Sequence, residues 1–433
     1  MLGARAEPAQ RCDLLIGLGS AQFRCSEIHY RVTLLEACQL AITLGDKPRL
    51  IAAVLANYRG WWSSTAEIDH ERVASIETAL AMCDSRDVVM RSQLLSAWAQ
   101  ENVRDPSCRA EVLKNSSEAL ALAEAGDDPE ALATALASRF SVLYALFEQP
   151  AECVRISRRL LELSHRRGDR MIRLSAALCL AQASMRFGDF DVADRYVGEA
   201  VQLAEALHHP PRLWLARSWQ AMREAMRGRM DTAEVMATET LHFGVQSGEA
   251  DASPWFAGQL FTIRMLQDRL PEIVDDVRDH VATMADAVPA WRAALSVALA
   301  RSDQHADAEV ILDDFASGSF EQLRRDIMWL NGMCYLSMTC EALGRADVAT
   351  SVYGELIPYK GMVANNGTID AGPVDLQLGA LARVMGRHDL ADEHLGRAAA
   401  LCRDIGSPVW LAQVSQRQPT SPHDTTTRAP RDR

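Results

Sequence analysis

His388 and His394 flank Glu393, and two imidazoles with a carboxylate are a set that could hold zinc. On a helix, a separation of six residues turns the two rings to different faces, so no metal site is expected there. His208-His209 stands directly before Pro210-Pro211 and reads as a solvated turn. Asp275-Asp276 and Asp313-Asp314 are adjacent carboxylates, but neighbours on a helix point apart, which suits a hydrated face better than acid–base work. Gly17-Leu18-Gly19 follows an apolar run, as a nucleotide loop would. It lacks the third glycine and lies inside a helical pattern, so close helix packing is the expectation. Cys179 and Cys334 sit in apolar helical stretches with no base to activate them, and are expected as buried thiols. No Cys-x-x-Cys occurs among the ten cysteines, which suits reduced thiols. No catalytic, cofactor-binding or metal-binding residue can be named, and the chain is not expected to be an enzyme. Trp61-Trp62 and Trp214 could either pack between helices or anchor a partner.

The elements that would position any site announce themselves as a repeat. Gly188-Asp189-Phe190-Asp191-Val192-Ala193 recurs as Gly228-Arg229-Met230-Asp231-Thr232-Ala233, as Gly344-Arg345-Ala346-Asp347-Val348-Ala349 and as Gly386-Arg387-His388-Asp389-Leu390-Ala391. Degenerate copies begin near Asp268 and Ser302, giving a mean spacing of about 40 residues. Glycine ends one helix by accepting the left-handed conformation, the following Asp favours the N-terminal dipole of the next, and Ala lets the two approach closely. A second series of turns, at Gly45-Asp46, Asp84-Ser85, Gly126-Asp127, Gly168-Asp169, His209-Pro210 and Ser247-Gly248, lies half a period away. Two interleaved series mean helix, turn, helix, turn. From residue 11 to 416 this predicts an all-α, right-handed superhelical solenoid of about ten antiparallel helix pairs. Residues 1–10 read as an N-terminal extension and 417–433, rich in Pro, Thr and Arg, as a disordered tail. Pro358 to Pro373 breaks the rhythm and is expected as an irregular loop, serving either as a linker over the final repeats or as a partner or ligand contact.

Composition narrows the function classes. The chain is 48% hydrophobic and 24% charged, enough apolar residue for a large core. A formal charge of −13 argues against direct nucleic-acid binding and against anionic membranes, both of which need a basic surface. No uncharged apolar run is long enough to span a bilayer, residues 1–10 lack the apolar stretch of a signal peptide, and a cytoplasmic location is expected.

The turn offsets resemble the tetratricopeptide pattern: from Gly188 they run to Phe190, Ala193, Val197 and Ala200, and from Gly386 to Ala391, Leu395 and Ala398. HEAT-type repeats share the long period but not this turn, and are the alternative. The whole chain also resembles the helical-repeat region of large actinobacterial ATP-dependent regulators that carry LuxR-type or class III cyclase domains. The resembling segments include Asn57-Tyr58-Arg59-Gly60-Trp61-Trp62-Ser63, Pro289-Ala290-Trp291-Arg292 and Gly406-Ser407-Pro408-Val409-Trp410. The chain carries no Gly-x-x-x-x-Gly-Lys phosphate loop, no cyclase aspartates can be placed, and too few residues follow Ala412 for a helix-turn-helix. The resemblance therefore implies a scaffold or sensing arm of a transcriptional or signalling regulator, without its ATPase, cyclase or DNA-reading parts.

In tetratricopeptide proteins the first helix of each pair lines a concave, partner-binding groove. The alignment places Gln182, Met185 and Arg186 there before Gly188, and Met222 and Met226 before Gly228. Asn365 and Asn366, in the break, complete the expected partner-binding set. A protein or peptide partner is the leading expectation. A small-molecule effector, bound by a sensor arm, is the alternative.

Overall fold

The computed structural model describes residues 7–25, 27–58, 68–284 and 288–418, and among them it is an all-α solenoid of twenty-one helices with one small hairpin. Helices α1 (Pro8–Arg24), α2 (Tyr30–Leu44), α3 (Lys47–Ala56) and α4 (His70–Met82) form an N-terminal arm. From α5 onward eight pairs follow, each an inner helix before an outer one. The inner helices are α5 (Val88–Asn102), α7 (Pro129–Ala145), α9 (Arg170–Arg186), α11 (Pro210–Met226), α13 (Ala252–Leu266), α15 (Ala290–Ala300), α17 (Trp329–Leu343) and α19 (Val374–Val384). The outer helices are α6 (Arg109–Ala125), α8 (Pro150–Arg167), α10 (Phe190–Ala206), α12 (Met230–Gln246), α14 (Val274–Met284), α16 (His305–Ser317), α18 (Ala346–Leu356) and α20 (His388–Asp404), and α21 (Pro408–Arg417) ends the described chain.

Local chemistry accounts for the boundaries. Asp46, Asp69, Asp87, Asp128, Asp169 and Asp189 each cap a helix by accepting a backbone N–H from its first turn. Gly45, Gly168, Gly188, Gly228, Gly344 and Gly386 all have positive φ and close the preceding helix. Where the motif degenerates, Asp268 and Asp303 take the same left-handed conformation. Gly126 differs, with φ −94° and ψ 163°, so that turn is extended and Asp128 starts the next helix. The repeated alanines, Ala193, Ala233, Ala349 and Ala391, are completely buried, as close pairing requires.

Inner helices such as α9 and α17 are buried almost all round, whereas outer helices bury one stripe. The cause lies in what fills the concave side. The segment expected as an irregular loop instead forms a β-hairpin, β1 (Val363–Asn365) against β2 (Asp370–Pro373), antiparallel with Asn365 opposite Asp370. Asn366-Gly367 makes the turn: Asn365 Oδ1 accepts from Gly367 N–H at 2.6 Å, and Asn366 Oδ1 accepts from Thr368 and Ile369 N–H at 3.0 Å. Residues 363–373 are all buried. The hairpin is threaded into the solenoid, not laid over its last repeats.

The C-terminal end folds back onto the middle. Ser407 Oγ donates to Met226 O at 2.8 Å, and a Cβ on Gly188 would lie 2.7 Å from Leu401. Gly188 thus needs no side chain for two reasons, its positive φ and this approach. On the other flank Arg109 Nη1 donates to Arg325 O at 3.3 Å, a contact between residues 216 apart in sequence. The array is therefore closed around its hairpin.

Candidate binding site

Six of the seven residues expected to bind a partner lie in the hairpin or in the cavities beside it, and the seventh, Arg186, packs against Tyr144, which holds the hairpin. Gln182 on α9 donates Nε2 to Asn366 O at 3.3 Å. Asn365 Nδ2 lies 3.5 Å from Met226 Sδ. Met185, Met222, Met226 and Asn365 line one cavity of about 220 Å³ together with Trp219 and Arg223. Gln182 and Asn366 line another, of about 110 Å³, across the hairpin. Arg186 stacks on two rings: its guanidinium sits 3.5 Å from the centre of the Tyr144 ring and 4.1 Å from that of Phe147, and Nη2 donates to Tyr144 O at 3.1 Å. Every one of the seven is buried, and in this state each faces the chain's own hairpin or its supports.

The way the hairpin is held is uniform. Three inner helices supply side-chain donors to consecutive main-chain carbonyls: Asn331 Nδ2 to Ala364 O at 2.9 Å, Tyr144 Oη to Asn365 O at 3.5 Å, and Gln182 Nε2 to Asn366 O at 3.3 Å. These contacts grip an extended backbone irrespective of its side chains. Asn331 and Tyr144 carried no signal in the sequence, because an Asn or Tyr in an apolar helix is outwardly ordinary.

One side chain of the hairpin stands apart. Asp370 is completely buried, accepts from Trp410 Nε1 at 2.5 Å and from Gly372 N–H at 3.3 Å, and burial pushes its carboxyl up to about 6. At the hairpin's base, Asp375 accepts from Gly361 N–H at 2.7 Å, from Arg397 Nε at 2.9 Å and lies 2.7 Å from His394 Nδ1. The other ring nitrogen of His394 is 2.9 Å from the Tyr353 hydroxyl. Burial pushes Asp375 up, but these hydrogen bonds outweigh it and hold the carboxyl below its usual range. Tyr–His–Asp in a row is an arrangement catalysis uses. Here His394 and Asp375 are 1% exposed, and the set ties the hairpin's base to α18 and α20.

The remaining sequence candidates fall as follows. His388 is exposed and His394 buried, on different faces, and no group of three or more metal-ligating residues occurs among the described residues. His208 is exposed, but His209 is half-buried, contrary to a solvated turn; burial lowers its pKa to about 4, with Arg212 adding to this. Asp275 and Asp314 are solvent-facing and paired with Arg278 and Arg292. Gly19 lies against Leu34, where a Cβ would collide, so it is a packing glycine between α1 and α2. Cys179 and Cys334 are completely buried, and burial raises both thiols. Trp214 packs on Trp255 with ring centroids 4.6 Å apart, so it is a helix-packing residue. Trp61-Trp62 and residues 419–433 lie outside the described residues, whereas Arg417, expected in the tail, ends α21 and pairs with Glu341.

No family model matches the chain, and no curated protein matches it. Among solved structures it is similar to a circular tandem repeat protein with novel repeat topology and enhanced subunit contact surfaces. That match has 12% identity over 94% of this chain and 95% of the other, with a TM-score of 0.14, and at that score it carries no argument about function.

Proposed function

We propose that this chain is a non-catalytic interaction scaffold that binds an extended segment of a protein partner along its inner helices. The observation that carries this reading is the row of side-chain donors on α9, α17 and α7 that holds successive backbone carbonyls at 364, 365 and 366. A surface built to hold extended backbone in cis has the chemistry to hold it in trans. The net charge of −13 favours a basic partner segment. The finer assignment, an arm of a cytoplasmic transcriptional or signalling regulator, is supported by the sequence resemblance alone. Among the described residues no helix is long and apolar enough to cross a membrane.

The test is selection of a displayed peptide library against the full chain. Binders should emerge, and Asn331→Leu or Gln182→Leu should weaken them by roughly fivefold to tenfold, the worth of one hydrogen bond of about 1 kcal/mol. An absence of binders, or binders indifferent to both substitutions, rejects the proposal. Turnover of ATP by the purified chain would reject its non-catalytic part.

A further inference from the structure

The cavity on the α9 side of the hairpin has features that packing alone does not require. It measures about 110 Å³ and is walled mainly by apolar and aromatic groups, among them Tyr144, Trp255, Trp291 and Ile369. Its walls come from α7, α9, α13, α14, α15 and the hairpin, so it exists only in the closed array. One polar atom of a lining residue is left over. Gln182 is 1% exposed, its Nε2 is committed to Asn366 O, and its Oε1 has no hydrogen-bond partner among the described residues. The amide orientation is fixed, because only the nitrogen can donate to a carbonyl. A buried acceptor without a partner is costly, so something that donates to it brings a comparable gain.

Water is a poor partner for Gln182 Oε1, although Arg104, Asp326 and Thr368 line the same space. A buried water needs two to four polar partners, about three on average. Asn366 Oδ1 already accepts from two backbone N–H groups, and Ser141 Oγ donates to Gln100 Oε1 at 3.1 Å. The volume is somewhat below the roughly 150 Å³ of a dry, apolar cavity known to admit benzene. Here Arg104, Pro254 and Asp326 at the lining are only half-buried, so the space opens towards solvent and the ring need not be wholly enclosed.

We propose that this cavity is a binding site for a small molecule consisting of one apolar ring that carries a single O–H or N–H donor, with the ring among Tyr144, Trp255 and Trp291 and the donor on Gln182 Oε1. The site and the backbone row share the Gln182 amide and the hairpin, so a segment that displaced the hairpin from the row would also open the cavity. Asn366, Thr368 and Ile369 also line it, so an occupant touches the hairpin directly.

The experiment is calorimetric titration of the full chain with phenol and with toluene, which share shape and differ in the donor. Toluene is the more hydrophobic, so an unspecific apolar void would take toluene first. The proposal expects phenol to bind several-fold more tightly. Gln182→Met, which keeps the length and removes the acceptor, should reverse the order in favour of toluene. Ala145→Phe, which fills the cavity from its wall, should abolish binding of both while the helical circular dichroism stays unchanged. Toluene binding at least as well as phenol to the native chain, no binding of either at millimolar concentration, or an order unchanged in Gln182→Met overturns the proposal. Should Ala145→Phe fail to fold, the reversal in Gln182→Met remains the deciding measurement.

Discussion

Asp370 is the residue on which pH should act. An unfolded Asp titrates near 3.9, whereas burial holds this one at about 6. Between those values the folded chain keeps a proton that the unfolded chain has lost. The contribution to stability is therefore greatest below about pH 4, declines as pH rises towards 6, and is flat above. Two pH units correspond to a change on the order of 2–3 kcal/mol. The expected result is that the unfolding free energy of the native chain, less that of Asp370→Asn, falls by that order between pH 4 and 6. A difference that stays flat across this range would show that the carboxylate ionises freely in the fold. Asp375 has the opposite sign, because its pKa is lowered despite burial. Its stabilisation is present at neutral pH and lost as pH falls through the folded value. Asp375→Ala leaves His394 and Arg397 without their shared acceptor and should cost about 3 kcal/mol at pH 7, read by denaturant midpoint. Neither carboxylate was visible in the sequence as a candidate, since a single Asp in a Gly- and Asn-rich segment reads as turn chemistry. The helix face of Gln182, Met185, Arg186, Met222 and Met226 was legible from their offsets to turn glycines, and Asn365 and Asn366 stood out by the break in the rhythm, but whether they bind a partner was not. That the chain itself would occupy that face was not.

At the scale of elements, the turns were the most readable part, because each of Gly188, Gly228, Gly344 and Gly386 answers a backbone need that no other residue meets cheaply. Helix ends at Phe147 and Gln149 were not readable, as both adopt positive φ without a glycine to signal it. The hairpin was half readable: Asn366-Gly367 marked a tight turn, but three- and four-residue strands are too short for an alternating pattern to show. Burial makes that turn exacting. Gly367 has φ +95°, and a Cβ there would collide with the Trp219 indole on α11. Gly367→Ala should therefore destabilise the chain by about 2–3 kcal/mol, combining backbone strain with the clash. The comparison is Gly45→Ala, also at positive φ but with open space around it, which should cost about 1 kcal/mol. Equal costs for the two would mean that the hairpin tip is not seated against α11.

The molecule as a whole departs from an open solenoid, in which each repeat touches only its neighbours and stability is a sum of local terms. Closure adds contacts of long sequence separation, such as Ser407 to Met226 and Arg109 to Arg325, and the hairpin joins α7, α9, α11 and α17 through one insertion. Sequence periodicity carries no record of closure, because it depends on small rotations accumulated over many repeats. The two parts of the chain should accordingly unfold differently. Helices α1–α4 share a core with α5, whereas the hairpin is held by α7, α9 and α17 and the C-terminal end by α11. Removing residues 1–84 should leave the remainder folded, with amide exchange in 363–373 as slow as in the full chain. Replacing 361–373 by a Gly-Ser linker should accelerate exchange not only in α17 and α19, its neighbours in sequence, but also in α9 and α11, more than 130 residues earlier. Acceleration confined to α17–α20 would mean that the hairpin merely fills space, and that the ring is held shut by contacts such as Ser407 to Met226 and Arg109 to Arg325.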